Sequence, residues 1–291
     1  MRKIGLWMLA FALFLVSACG NRNNGGADQE AIVHGEHMEN REASVGEDHR
    51  EHGDTSSSAA AEVTTSAEWK LSVPKPNVAE DTEVTILIRD AKGQPVNEFE
   101  NNHEKKMHLI VVSKDLSYFN HIHPAYKGGG AFSVTTRFPA AGEYKLIADY
   151  IPGGGSSTSQ TKRVEVQGKV GEQTQILPDS SLTRIVDGVE ATLSLDHLMA
   201  GMETGLTFTF ADAGSNKPIE DLQPYLGAVG HVVILSEDTE LYLHVHPTDE
   251  DAKGPEARFM TSFPKSGIYK IWGQFKRNDR TFIVPFVVKV P

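Results

Sequence analysis

The sequence predicts an all-β protein made of two tandem immunoglobulin-like β-sandwich domains. Three observations predict it: a series of short β-rich runs, Gly, Pro, Asn and Asp between those runs, and a second series that repeats the first. Antiparallel sandwiches are built from many short strands separated by turn residues. The chain has 291 residues, of which 39% are hydrophobic and 23% charged, and this composition is typical of one or two globular domains.

The first segment, residues 1–18, has the pattern of an export signal. Arg2 and Lys3 precede an apolar run that is too short to span a bilayer by itself. The four residues Val16-Ser17-Ala18-Cys19 resemble the lipobox of bacterial lipoproteins. That resemblance implies a lipid anchor on Cys19 at the extracytoplasmic side of the cell membrane. The alternative is an ordinary secretory signal that is cleaved after Ala18 and leaves a free thiol.

Residues 19–66 are predicted to be a disordered acidic tether. Their Gly, Ser, Ala, Glu and Asp content leaves few apolar side chains to bury, so folding cannot offset the entropy of ordering. The tether contains metal-binding residue types at His34, His37, Met38, His49 and His52. On a flexible chain these side chains either bind late transition metals loosely or serve only as polar residues.

The first sandwich domain is predicted over residues 67–167. Seven β-rich runs indicate its strands: Trp69–Val73, Val84–Arg89, His108–Val112, Tyr118–His123, Phe132–Arg137, Tyr144–Asp149 and Arg163–Val166. The domain has no long apolar pattern with a period of 3.6 residues, so no helix is predicted. A polar linker is expected over residues 168–181, followed by a second domain over residues 182–291.

The second domain repeats the first. His108 corresponds to His231 at an offset of 123 residues, and the same offset relates His121 to His244 and His123 to His246. Two residues are then inserted, so that Tyr144 corresponds to Tyr269 at an offset of 125. Tyr144 and Tyr269 each follow a Gly at the start of a late strand, the position of a corner tyrosine in sandwich domains. We expect Trp69 and Trp272 to belong to the core.

The repeated histidines are predicted to meet at the end of a β-hairpin. Asp115 lies in the polar turn, and folding about it pairs His108 with His123, Ile110 with His121 and Val112 with Phe119. Residues paired in this way share one face of the sheet, and so do residues two apart on one strand. His108, His121 and His123 should therefore converge, and His231, His244 and His246 should form an equivalent second cluster.

Three imidazoles at this spacing favour a metal site at the edge of each domain. Opposed Cβ atoms lie about 5 Å apart, which lets ring nitrogens reach one ion at about 2 Å. Imidazoles without thiolate suit Cu(II), Zn or Ni, and Cu(II) binds most tightly in the general affinity order. Neither domain contains the Cys that a blue-copper centre requires. The alternative is that these histidines only tie strand ends to loops by hydrogen bonds.

Several methionines lie near this pattern. Met107 precedes His108 but should point to the opposite face of the strand, and Gly230 replaces it in the second copy. Met199 and Met202 lie close to His197. A role for them in the core or in a loop is favoured over Cu(I) binding.

The repeated pattern of His, an apolar strand, Ser-x-Asp and His-x-His-Pro is similar to bacterial exported lipoproteins with YtkA-like or cupredoxin-like sandwich domains. The resemblance covers residues 69–290 and implies copper handling outside the cytoplasmic membrane. The ligands it implies are His108, His121 and His123 in one domain and His231, His244 and His246 in the other. The Met-Pro-x-Met-x-Met stretch of many YtkA-like domains is missing here.

The leading expectation is a membrane-tethered protein that binds copper in each domain for buffering, delivery or sensing, with zinc as the alternative metal. The competing expectation is a module without metal that recognises a membrane protein or an envelope component. No catalytic motif is present, and we do not expect an enzyme. The net charge of −11 disfavours nucleic acid as a partner.

Overall fold

The computed structural model describes residues 63–291, and the predicted signal peptide, Cys19 and most of the predicted tether lie outside them. The described part is all β, as the sequence predicts, and consists of two antiparallel sandwiches. No helix in this part is long and apolar enough to cross a membrane. The strands are β1 Thr65–Leu71, β2 Thr82–Asp90, β3 Phe99–Glu100, β4 Met107–Ser113, β5 Phe119–Ile122, β6 Ala125–Gly128, β7 Ala131–Thr136, β8 Gly142–Pro152, β9 Thr158–Val166, β10 Thr183–Val186, β11 Val189–Leu195, β12 Glu203–Asp212, β13 Gly230–Ser236, β14 Tyr242–Val245, β15 Glu256–Ser262, β16 Gly267–Arg277 and β17 Arg280–Val290.

Each sandwich is formed by two sheets. In the first, β1-β2-β7-β6 faces a sheet of order β3-β8-β4-β5, and β9 also pairs with β8. In the second, β10-β11-β12-β15 faces β14-β13-β16-β17. The inward side chains of the two sheets form a separate apolar core in each domain.

The strand β4 is buried on both faces, which explains how the two domains meet. Met107, Leu109 and Val111 point into the core of the first domain, whereas Ile110 and Val112 belong to a third apolar cluster. That cluster also contains Val233, Leu235 and Trp272 of the second domain. The face formed by β5, β4 and β8 therefore packs against the face formed by β14, β13 and β16.

Trp272 corrects one expectation about the core. Its indole is buried, but it stacks on Phe119 of the other domain, with ring centroids 4.6 Å apart and an angle of 15° between the planes. The residue thus belongs to the interface between the domains and not to the core of its own sandwich. Trp69 packs against the core of the first domain as predicted.

Two equivalent lysines reinforce this interface from opposite sides. Lys145 donates to the carbonyl of Thr239 at 2.6 Å, and Lys270 donates to the carbonyl of Leu116 at 2.8 Å. In the repeat, Lys145 corresponds to Lys270 and Leu116 corresponds to Thr239. The domains are therefore related by an approximate twofold arrangement, in which equivalent surfaces contact each other.

Candidate metal centre

The predicted hairpin register is present in both domains. Ile110 pairs with His121 and Val112 with Phe119 on β4 and β5, and Val233 pairs with His244 on β13 and β14. The turn forms as expected, because Asp115 accepts hydrogen bonds from the hydroxyls of Ser113 and Ser117 and from the amide of Ser117. The geometry of this turn fixes which residues face each other on the two strands.

The first triad converges as predicted. One ring nitrogen from each of His108, His121 and His123 lies within 4.8 Å of the others. His108 Nδ1 is 2.8 Å from His121 Nε2. Two nitrogens bound to one ion at about 2.0 Å lie roughly 2.8 Å apart at a right angle and roughly 3.3 Å apart at the tetrahedral angle. The observed separation fits two ligands of one ion, and it equally fits a hydrogen bond between the two rings.

Hydrogen bonds set the tautomer of His108. Its Nε2 lies 2.8 Å from the carbonyl oxygen of Asn102, and because a carbonyl only accepts, Nε2 carries the proton. In the neutral ring, Nδ1 then holds a lone pair that is directed at His121. A backbone carbonyl that holds the second ring nitrogen is the usual outer partner of a metal-binding histidine.

Gln274 of the second domain holds His121. Its amide nitrogen is 3.0 Å and its amide oxygen 3.3 Å from His121 Nδ1. If the amide nitrogen donates, the ring proton lies on Nε2 and is donated to His108, which satisfies the pair without an ion. If the amide oxygen accepts, the proton lies on Nδ1 and leaves Nε2 free to bind a metal. The side chain therefore supports both states.

The second triad is more open than the first. His231 Nδ1 lies 3.4 Å from His244 Nε2, close to the tetrahedral separation, while His246 is exposed. His244 donates through Nδ1 to Asp149 Oδ2 of the first domain at 2.8 Å, so its Nε2 is held free of the proton in the neutral ring. The Tyr242 hydroxyl donates to the same carboxylate oxygen at 2.9 Å.

The two triads adjoin in one histidine cluster between the domains, which corrects the expectation that each lies at the edge of its own domain. The ring centroids of His108 and His244 are 5.2 Å apart, and those of His108 and His231 are 6.1 Å apart. His108 and His231 are both 0% exposed. The reason is that β4 and β13 are buried on both faces, so their histidines face the partner domain instead of solvent.

A seventh histidine joins the cluster. The His103 ring lies between those of His231 and His246, with centroids 4.5 Å and 4.2 Å away. Sequence reasoning missed it because its counterpart in the repeat is Leu226. Its position in a short polar turn directly before β4 could have indicated that it lies near His108.

Burial makes these imidazoles poor bases. Burial first, and then the neighbouring histidines, lowers the pKa of His108 to about 3 and that of His231 to about 2. Burial also lowers the pKa of His121 well below its usual value. Burial raises the pKa of Asp149, but the hydrogen bonds from His244 and Tyr242 outweigh this effect and lower the pKa overall. His108, His121 and His231 are thus neutral imidazoles near a carboxylate, the forms in which both groups bind metals.

Two buried ring nitrogens lack a hydrogen-bond partner in the described part of the chain. They are Nε2 of His123 and Nε2 of His231. Leaving a buried polar atom unpaired costs roughly 1–3 kcal/mol, and such atoms call for an explanation such as an ion. Both lie in the histidine cluster.

The remaining predicted residues have other roles or lie outside the described part. The corner tyrosines are confirmed, because the Tyr144 hydroxyl donates to Ala140 O at 3.0 Å and the Tyr269 hydroxyl donates to Lys265 O at 2.8 Å. Met107 points into the core, away from the cluster, and Met199 and Met202 are exposed. Cys19 and the tether residues His34, His37, Met38, His49 and His52 lie outside the described residues.

A family model matches the chain twice, over residues 61–168 and 184–291, and it is described as a domain of unknown function, DUF8832. The chain belongs to the DUF8832 family. The two matches show that this DUF8832 protein is a tandem repeat. The finer resemblance to copper-handling lipoproteins with YtkA-like domains stays a prediction. No curated protein matches the DUF8832 chain.

Solved structures share only the general architecture. The Escherichia coli adhesin FdeC is 17% identical over 77% of this chain and 64% of that chain, with a TM-score of 0.27. A segment of two fibronectin type III domains from chicken tenascin is 13% identical over 78% and 99%, with a TM-score of 0.24. The bacterial integrin-binding protein invasin is 12% identical over 78% and 40%, with a TM-score of 0.22. The DUF8832 chain spans less than two thirds of the FdeC and invasin chains, and scores this low carry no information on function.

Proposed function

We propose that this protein binds copper at the histidine cluster between its two domains and buffers the metal or passes it to a partner. The observation that carries the proposal is the convergence of His108, His121 and His123, whose ligand nitrogens lie within 4.8 Å of one another. An all-imidazole donor set suits Cu(II), and Zn(II) is the alternative. The role is binding, without a reaction.

The proposed location is the extracytoplasmic side of a membrane. The support is the signal-like segment before Cys19, whose acylation would attach the protein to membrane lipid. In the exported space no cytosolic thiol pool competes for copper. A membrane or envelope protein is the expected recipient of the ion.

Copper titration of the purified full chain tests the proposal. We expect tight uptake of Cu(II), measured by competition with a chelator of known affinity, and weaker uptake of Zn(II). His123→Ala removes a half-buried ligand and should weaken the binding at the first triad. His197→Ala is the matched control, because His197 is exposed and lies outside the cluster.

Two results would contradict copper binding at this site. One is the absence of tight binding in the wild-type chain. The other is an equal loss of affinity in His123→Ala and in His197→Ala, which would assign the metal to exposed histidines. If thermal stability is also insensitive to chelators and to added copper, the histidines are structural and the competing binding-module function is favoured.

A further inference from the structure

The second half of the cluster is completed by a residue of the first domain. His246 is exposed, and within its own triad only its contact with the His244 ring is close, at a centroid distance of 4.9 Å. His103 fills the space between His246 and His231. Four imidazoles are therefore present where the repeat predicts three.

A tight turn places His103 there. Asn102 and Lys105 exchange backbone hydrogen bonds of 2.8 and 3.2 Å across a two-residue loop, in which His103 has φ 46° and Glu104 has φ 65°. Positive φ at both loop positions is the pattern of a type I′ hairpin turn, for which Asn and Gly are preferred. A histidine in place of these residues favours a role for the imidazole itself.

The donor atoms of the neighbouring residues are prepared for an ion. His231 is 0% exposed, and its Nε2 has no hydrogen-bond partner among the described residues. Asp149 holds His244 with Nδ1 protonated, and His244 Nε2 faces the other ring nitrogen of His231, Nδ1, at 3.4 Å. A buried carboxylate behind a ligating histidine is typical of metal sites, because it fixes the tautomer and raises the basicity of the ring.

We propose that His103, His231, His244 and His246 form a second metal site that spans the two domains, distinct from the site of His108, His121 and His123. Among the described residues only the first triad has its donor nitrogens within 4.8 Å of one another, so the second site closes when the accessible rings of His103 and His246 turn toward His231 and His244. It takes the same class of late transition-metal ion, and the choice of copper rests on the proposed function. The ligands come from both domains, so a bound ion joins the turn before β4 of the first domain to β13 and β14 of the second.

Access to this second site is acidic. An open surface pocket is lined by His103 and His246 together with the carboxylates of Glu104 and Glu250. Carboxylates at the entrance attract cations and raise their local concentration. An ion entering here meets the exposed ring of His246 first and the buried ring of His231 last.

The two sites must lie close together. His108 and His244 belong to different sites, yet their ring centroids are 5.2 Å apart. Because a metal ion lies about 3 Å from the centroid of a ring that binds it at about 2.0 Å, two bound ions are separated by at most roughly 12 Å. Two Cu(II) ions at this distance broaden each other's electron paramagnetic resonance spectra.

Replacing His103 with Asn tests the second site. Asn tolerates the left-handed conformation of this turn, so His103→Asn removes the imidazole and keeps the backbone. Asp187→Asn is the matched control, because it makes a similar change at an exposed left-handed position between β10 and β11, away from the cluster. His246→Ala is a second variant, chosen because its exposed side chain is not needed for folding.

In the wild-type full chain we expect two Cu(II) ions and mutual spectral broadening. In His103→Asn and His246→Ala we expect one tightly bound ion and no broadening. The affinity for the second ion should fall by more than about 100-fold, which is more than the loss typical of replacing a residue that only supports a ligand. Asp187→Asn should retain both ions. A wild-type chain that binds one ion, lost in His123→Ala, would refute the second site and leave the proposed function standing. No tight binding at all would refute both, and two ions with unchanged affinity in His103→Asn would overturn the role of His103.

Discussion

Acidification should destabilise the metal-free protein, and two fully buried histidines set the smallest loss to expect. The pKa of His108 is lowered to about 3 and that of His231 to about 2, with burial as the main cause of both shifts. In the unfolded chain a histidine has its ordinary pKa of about 6.5. Between these values the unfolded chain binds protons that the folded protein does not, so stability falls as the pH falls below about 6.5.

The size of the effect follows from the distance between the unfolded pKa and the chosen pH. At pH 5 both rings are neutral in the folded protein but protonated in the unfolded chain, because this pH is 1.5 units below the unfolded pKa of about 6.5. Each ring therefore lowers the free energy of unfolding by about 2 kcal/mol. This pair alone lowers the free energy of unfolding by about 4 kcal/mol between pH 7 and pH 5, and the lowered pKa values of His121, His123 and His246 add to the loss. This is a large share of the 5–15 kcal/mol typical of a folded domain.

Urea unfolding at pH 7 and pH 5, in the presence of a chelator, measures this difference. His231→Leu removes one of the two rings and should reduce the loss by about 2 kcal/mol. His197→Leu changes an exposed histidine and should leave the loss unchanged. Equal stability of the wild-type protein at the two pH values would show that the buried rings are solvated or protonated, and the electrostatic reasoning would fail.

Three further predictions concern the contacts that hold the cluster. Asp149→Asn should weaken the second metal ion 10- to 100-fold in a chelator competition, because the amide can place the proton of His244 on the ligating nitrogen; unchanged affinity would contradict this. Trp272→Ala should lower the free energy of unfolding by about 3–5 kcal/mol in urea, since the indole is buried against Phe119, and a loss below 1 kcal/mol would show that the interface is weak. Tyr144→Phe and Tyr269→Phe should each cost about 1 kcal/mol in thermal unfolding, with no effect on metal binding.

The register of the histidine hairpin was predictable because one turn fixes it. Ser113 and Asp115 specify where the chain reverses, and the pairing of Ile110 with His121 follows from that position alone. The short strands Phe99–Glu100 and Ala125–Gly128 were not predicted. They carry too few residues to show the period-2 alternation that marks a strand.

The merging of the two triads was not predicted, because a repeat describes each copy separately. The signal was present in Met107–Val112, a run that is apolar on both faces apart from His108. Antiparallel strands of a sandwich normally alternate apolar and polar residues, so such a run indicates that the second face is covered too. The sequence alone does not say what covers it, and here it is the equivalent face of the other domain.

The approximate symmetry of the interface is broken where the chemistry is most sensitive. Asp149 in the first domain corresponds to Gln274 in the second, so His244 is backed by a carboxylate and His121 by an amide. Imidazole ligands bind as neutral groups and supply no charge to offset a divalent ion in a buried site, whereas the carboxylate offsets part of it. The amide allows His121 Nε2 to donate to His108 in the absence of a metal, whereas the carboxylate keeps His244 Nε2 as an acceptor that faces His231. The two domains thus contribute unequal halves, and we expect the Asp149 side to bind an ion more strongly than the Gln274 side.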